Sequence, residues 1–279
     1  MANSLRSRRP RWGERLIEFV LFCCGLLSIA ITFAIVVVIV YGSISFFAYD
    51  NQQVMSAGQI WGRIVEFFTE LEWTPGTDNP KHGIWPILVG TLMVAVIAAV
   101  IAIPIGLVTA IYLSEYARPK VRSIAKPTLE LLAGIPTVVY GFFAIKVVTP
   151  FLATFIPGLS TPYNQLAGGI VVGIMIIPMV ASLSEDALRA VPRSLRDGAY
   201  ALGANKFEVS VKVVAPAALS GIIASFILAI SRAIGETMAV SLACGGGTQF
   251  TMDPREGVAT MTGFIVQVAK GEAAHGSTR

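Results

Sequence analysis

The apolar positions of this chain neither alternate nor fall on one helical face; they run in blocks at residues 16–47, 84–113, 127–148, 166–183 and 219–243. Each block is near or above the roughly 20 residues that an α-helix needs to cross a bilayer, so the pattern predicts five membrane-spanning helices. The first block far exceeds the roughly 7–15 apolar residues of a cleavable signal and is expected to remain as an anchor. A last apolar stretch at 258–268 is about half the spanning length and runs into a polar tail, so it is expected to stop short of a span.

Basic residues between the blocks orient them. Arg6, Arg8, Arg9, Arg11 and Arg15 precede the first block; Arg118, Lys120, Arg122 and Lys126 follow the second; Arg189, Arg193, Arg196, Lys206 and Lys212 lie in the long loop 184–217. The excess of Lys and Arg on cytoplasmic loops puts all of these, and the N-terminus, inside. Arg63, Lys81, Lys146, Arg255, Lys270 and Arg279 fall on the other side. The expected organisation is a cytoplasmic tail and anchor over 1–50, an extracytoplasmic loop over 51–83, a core over 84–245 and an outer segment over 246–279. Trp61, Trp73 and Trp85 are read as headgroup-level anchors in preference to a docking surface.

Composition agrees: 54% of residues are hydrophobic and 14% charged, and the mean hydropathy is +0.71, which excludes an ordinary water-soluble domain. A formal charge of +4 would suit nucleic acid, but the basic residues flank apolar blocks, so no nucleic-acid partner is expected. Cys23, Cys24 and Cys244 have no metal-ligand spacing and are read as buried thiols; His82 and His275 stand apart, so neither a metal site nor a catalytic centre is expected.

Three prolines, Pro104, Pro136 and Pro178, interrupt the blocks, with Gly106, Gly134, Gly141, Gly168, Gly169 and Gly173 nearby. Proline removes a helical hydrogen bond, so three such spans predict broken helices lining a cavity. Arg232 and Glu236 sit inside the last block, where an ionised side chain costs about 2.5–3.5 kcal/mol. Four residues apart, they are expected to share a helical face. A structural ion pair and a transport path both fit; the path is preferred because intramembrane charge usually lines a route, and an arginine fork suits oxyanions. Within 184–217, Leu195, Ala199 and Leu202 repeat at helical spacing, Gly203 interrupts, and Phe207, Val211 and Val214 resume before Pro216. This predicts two short helices joined at a bend, which an amphipathic hairpin on the membrane surface would also satisfy.

The same loop resembles the coupling motif of ATP-binding-cassette (ABC) importer permeases: Asp197, Gly198 and Ala199, then Gly203, then Val213 and Pro216, with Asp for the usual Glu, Gly198 for the first Ala, and Ala215 for Leu. The runs 103–116, 130–141, 184–192 and Gly235-Glu236-Thr237-Met238-Ala239-Val240 resemble the permeases of the phosphate-specific transporter, the PstC type in particular, over about residues 84–245. The resemblance implies an all-α, polytopic helical bundle of the type I ABC importer kind in the plasma (inner) membrane of a prokaryote. It also implies a path for inorganic phosphate through Arg232, Glu236 and Thr237.

The implied partners are a homologous second permease (PstA-type), a cytoplasmic ATPase dimer (PstB-type), an extracytoplasmic phosphate-binding protein (PstS-type) and membrane lipid. The chain itself is expected to bind no cofactor. No G-x-x-x-x-G-K-[ST] sequence is present, so ATP and Mg belong with the ATPase partner. The family pattern has a sixth span after the outer segment, and this sequence stops where it is expected to begin. A sulfate or molybdate importer permease and an ion-coupled secondary transporter are the competing readings.

Overall fold

Long apolar runs become long helices in the computed structural model, which describes residues 12–50, 53–74, 80–159 and 161–269. Arg6, Arg8, Arg9, Arg11, Lys270, His275 and Arg279 lie outside the described residues. Two compact units meet at residues 65 and 66.

In the first unit, α1 (Trp12–Ala48) exposes apolar side chains on every side, among them Phe22, Ile29, Phe33 and Tyr41. Cys23 and Cys24 are exposed with them, which corrects the expectation of buried thiols. Two of its hydroxyls bond to their own helix, Thr32 to the Ser28 carbonyl and Ser43 to that of Ile39, both at 2.9 Å, which lowers the cost of presenting them to lipid. A two-residue hairpin, β1 (Tyr49–Asp50) with β2 (Gln53–Val54), follows, and then α2 (Ala57–Thr69).

The second unit is built on α3 (Trp85–Ile111) and α7 (Gln165–Ala190). Glycine lets them meet backbone to backbone: a Cβ on Gly169 would stand 2.6 Å from Ile97 Cβ, and one on Gly106 would stand 2.6 Å from Val180 Cγ1. The shared core takes in Val94, Ala98 and Ala102 of α3, Val171, Val172, Met175 and Ile176 of α7, and residues of two later helices, α11 (Leu219–Ile234) and α12 (Met238–Ala243). Asn164 caps α7 by accepting from Ala167 N–H at 2.7 Å, and Pro192 stops it by forcing Val191 out of the helical region.

The prolines behave differently from expectation. Pro104 and Pro178 lie inside α3 and α7, and neither helix breaks there. A proline forfeits one bond of a long ladder, and the close α3–α7 packing holds both sides of the gap in line. Only Pro136 marks a break. It stands between α4 (Pro119–Ala133) and α5 (Thr137–Phe143), where the path turns by 84°; the block 127–148 is therefore a bent pair that starts earlier in the sequence. A π-helical turn (Ala144–Val148) and α6 (Thr149–Ala153) continue it. Two further breaks lie outside the three prolines singled out: one of 71° at the start of α11, two residues after Pro216, the other at residues 235–237 between α11 and α12, with no proline beside it. Among the described residues, three helices are long and apolar enough to span, and five spans result if each bent pair counts as one.

The loop after α7 forms the expected hairpin: α8 (Arg193–Ala201), a bend with Gly203 at φ +86°, then α9 (Lys206–Glu208), a π-helical turn (Val209–Val214) and α10 (Ala215–Ala217). Beneath it Ala110, Leu188, Val191, Val209, Val214, Ala218 and Ile222 form a second apolar cluster.

At the other end, the described residues 66–74 and 80–83 are not a free loop. Glu72 bridges to Gln249, and the Trp73 ring meets Phe67, His82 and Phe264 edge-on. Trp73 is thus the centre of an aromatic cluster, while Trp61 is exposed as an anchor would be. The last helix among the described residues, α13 (Met261–Ala269), has nine residues, about 13 Å at 1.5 Å per residue.

Candidate functional site

Arg232 lies on the last turn of α11 and faces a pocket of about 230 Å³, lined by Leu129, Glu130 and Ala133 of α4 and by Met175, Pro178 and Met179 of α7. It makes no ion pair or hydrogen bond with any described residue. The pocket sits where α4 ends before the Pro136 bend, and α5 packs on α12 beside it, a Cβ on Gly141 falling 2.9 Å from Leu242. Tyr140 OH donates to the Leu132 carbonyl at 3.1 Å, across the bend. Bent backbone of this kind is tolerated at membrane depth where it borders protein or a cavity.

Glu236 does not share a helical face with Arg232. The helix ends at Ile234, and Glu236 is buried in the turn beyond. There its carboxylate accepts from Ala239 N–H at 3.3 Å, and its carbonyl accepts from Thr262 Oγ1 at 2.6 Å. Thr237 occupies the cap position of α12 and bonds to the Gly235 carbonyl at 3.2 Å. Gly235 makes the reason plain: a helix that stops there carries the next residue off the face of the preceding turn. Arg232 alone of the three faces the pocket; Glu236 and Thr237 shape the break next to it.

The residues expected from the coupling-motif resemblance lie together on the hairpin. Asp197 and Gly198 are exposed on α8, Ala199 of the same helix packs against the inner apolar cluster, Gly203 supplies the left-handed bend, and Pro216 opens α10. A Cβ on Gly198 would meet nothing within 4 Å. Leu195, Tyr200, Leu202, Phe207 and Val211 are exposed on this hairpin, Leu202 at 91%. The second arm starts with a capping box: Asn205 Oδ1 accepts from Glu208 N–H at 3.0 Å, and Asn205 N–H donates to Glu208 Oε2 at 3.1 Å. The run Asn205-Lys206-Phe207-Glu208 carries that signature in the sequence.

Two buried carboxylates near the hairpin have no counterpart among the residues expected from sequence. Glu185 of α7 is paired with Arg122 and Lys126 of α4, at 2.8 and 3.0 Å, and with Arg189 at 3.7 Å. Glu115, in the π-helical turn (Tyr112–Tyr116) that ends α3, pairs with Arg196 of α8 at 3.0 Å. The i, i+4 spacing of Glu185 and Arg189 was a readable signal; partners 63 and 81 residues apart were not. In the outer segment Arg255 grips Asp253 through Nε and Nη2, holding that carboxyl at about 2, below the usual range.

Comparison with known proteins decides the family. Residues 102–269 match the family described as binding-protein-dependent transport system inner membrane component. The chain belongs to that family. It is 38% identical over 213 residues to a probable ABC transporter permease protein, YqgH, of Bacillus subtilis, covering 76% of this chain and 68% of the relative. It is 36% identical over 205 residues to the phosphate transport system permease protein PstC of Xylella fastidiosa, covering 67% and 63%. With PstA 1 of Mycobacterium tuberculosis it shares 35% over 171 residues, 61% and 54% of the two chains. The chain thus spans roughly two thirds or less of these relatives' lengths. A solved methionine ABC transporter, MetNI, in an inward-facing conformation aligns at 21% identity and TM-score 0.47, over 69% of this chain and 79% of that one. The protein is a multi-pass, all-α membrane permease component.

Proposed function

We propose that this chain is the PstC-like permease subunit of an ATP-driven phosphate importer, with Arg232 on the translocation path. The observation that carries the reading is an arginine inside an apolar block that forms no ion pair or hydrogen bond with any described residue and faces a pocket, shared with Glu130, between a bent helix pair and α7. A cation left unpaired there costs free energy unless water or an anion compensates it, and its planar fork can hold two oxygens of one phosphate. The phosphate assignment is supported by the similarity to PstC and PstA 1.

In this reading a second, homologous permease completes the path, and an extracytoplasmic binding protein delivers the ion. A cytoplasmic ATPase pair, which holds the ATP and Mg, seats on the exposed apolar side chains of the 193–217 hairpin. The N-terminus and the hairpin share the cytoplasmic face, in keeping with the positive charge of both. ATP-driven closure of the ATPases moves the hairpin, and the bent helices reorient around Arg232 as rigid pieces.

The test is uptake of radiolabelled phosphate into vesicles containing the complete complex, with sulfate and molybdate as competitors. Arg232→Gln is expected to lower uptake at least thirty-fold, the equivalent of about 2 kcal/mol of charge-assisted bonding, with assembly unchanged. Wild-type-like uptake by that variant would remove Arg232 from the path, and stronger competition by sulfate or molybdate would replace the substrate.

A further inference from the structure

We infer that Arg196 is the positioning residue that ties the coupling hairpin to the spanning helices, and that the π-helical turn ending α3 receives the hairpin's motion. The inference rests on the proposed ATP-driven import. Arg196 stands on α8 one residue before the exposed Asp197, yet its side chain points inward and is only 15% exposed. Its guanidinium is shared among three acceptors on two other elements. Nη2 donates to Glu115 Oε1 at 3.0 Å and to the Leu188 carbonyl at 2.8 Å; Nη1 donates to the Val191 carbonyl at 2.6 Å.

Leu188 and Val191 supply carbonyls at the C-terminal end of α7, where the helix leaves such groups without internal partners and where the dipole favours a cation. One planar group therefore ties α8 to the ends of both α3 and α7, the pair that forms the core. A second contact joins the other arm to the same turn: Lys206 Nζ lies 5.0 Å from the centre of the Tyr116 ring. Both arms of the hairpin thus meet residues 115 and 116. A π-helical turn is a local irregularity that concentrates at functional sites in helices, and here it carries Glu115, whose side chain is only 7% exposed.

A fork with fixed geometry transmits a displacement, whereas a flexible point charge permits slack. The variants that isolate this property are Arg196→Lys, which keeps the charge and loses the fork, and Glu115→Gln, which keeps the shape and loses the pair. ATP hydrolysis and phosphate uptake are measured together in vesicles containing the complete complex, and assembly is followed by co-purification of the ATPase. Both variants are expected to assemble and to hydrolyse ATP within threefold of wild type. Their uptake is expected to fall about tenfold, raising the ATP spent per ion about tenfold.

If uptake and hydrolysis fall in proportion, or if neither changes, Arg196 only supports the fold and the inference is overturned. Should either single variant assemble poorly, the double replacement Glu115→Leu/Arg196→Met, which removes both charges at once, is read by the same ratio. Failure of the wild-type complex to couple uptake to ATP would instead overturn the importer reading itself.

Discussion

Glu185 offers the sharpest test of what holds the hairpin end of the helices together. Its side chain is 1% exposed and meets Arg122, Lys126 and Arg189, while its neighbour Asp186 is 57% exposed and touches only Lys126. Glu185→Gln keeps the shape and deletes the charge. Removing one partner of a buried pair typically costs about 3–5 kcal/mol. The cations left behind in this protein can recover part of that through water, because Arg122 is 29% and Lys126 24% exposed. A net loss of about 2–3 kcal/mol remains, against at most about 1 kcal/mol for Asp186→Asn. At about 2–4 °C per kcal/mol for a chain of this size, the heating midpoint of the detergent-solubilised complex should fall about 4–12 °C for Glu185→Gln. It should fall no more than about 4 °C for Asp186→Asn. Fluorescence-detected gel filtration after a temperature series reads both. Equal shifts, or a rise for Glu185→Gln, would refute the assignment of the ion cluster as the clamp between α4 and α7.

Two further outcomes follow from local geometry. A Cβ at Gly169 falls 2.6 Å from Ile97, so Gly169→Ala is expected to cost about 1–3 kcal/mol by overpacking; Gly198→Ala, with nothing within 4 Å, should gain up to about 1 kcal/mol of helix propensity, and the same heating series separates them. The Asp253 carboxyl is depressed to about 2 by hydrogen bonds from Arg255; a group lowered in the folded state stabilises above its unfolded value near 3.9 and loses that contribution as pH falls through about 2. Protection of the 246–257 segment from acid protease should therefore decline between about pH 4 and pH 2 in the wild type, and Asp253→Asn should flatten that decline.

The helical class, the long spans and the bent hairpin were legible because each rests on short-range pattern: block length, helical spacing and a glycine at the bend. The breaks were legible only in part. Pro136 falls at a break and Pro104 and Pro178 do not, because a proline's effect depends on whether neighbouring helices hold the ladder straight, and the α3–α7 contact that does so joins residues far apart in sequence. The segment 51–83 was read as a loop for the same reason. Glu72–Gln249 and Trp73–Phe264 are pairings across nearly two hundred residues, and no local signal announces them.

The charged residues divide by what surrounds them. At the hairpin end the Glu115 and Glu185 side chains are buried, and each is paired with cationic side chains of another element, so their desolvation is offset by fixed partners and the ensemble of helix positions is narrowed. Glu236, read from spacing as the partner of Arg232, is instead turned away by the helix end at Ile234 and engaged by Ala239 N–H. Hydropathy counted both charges inside one span and could not see that end, because Gly235 costs a helix only about 1 kcal/mol and decides nothing alone. With Glu236 turned away, Arg232 forms no ion pair with any described residue, and the carboxylate that shares its pocket is that of Glu130 on α4. The pairing of Arg232 with Glu236 that the spacing allowed is therefore not formed, because the helix end at Ile234 separates the two side chains.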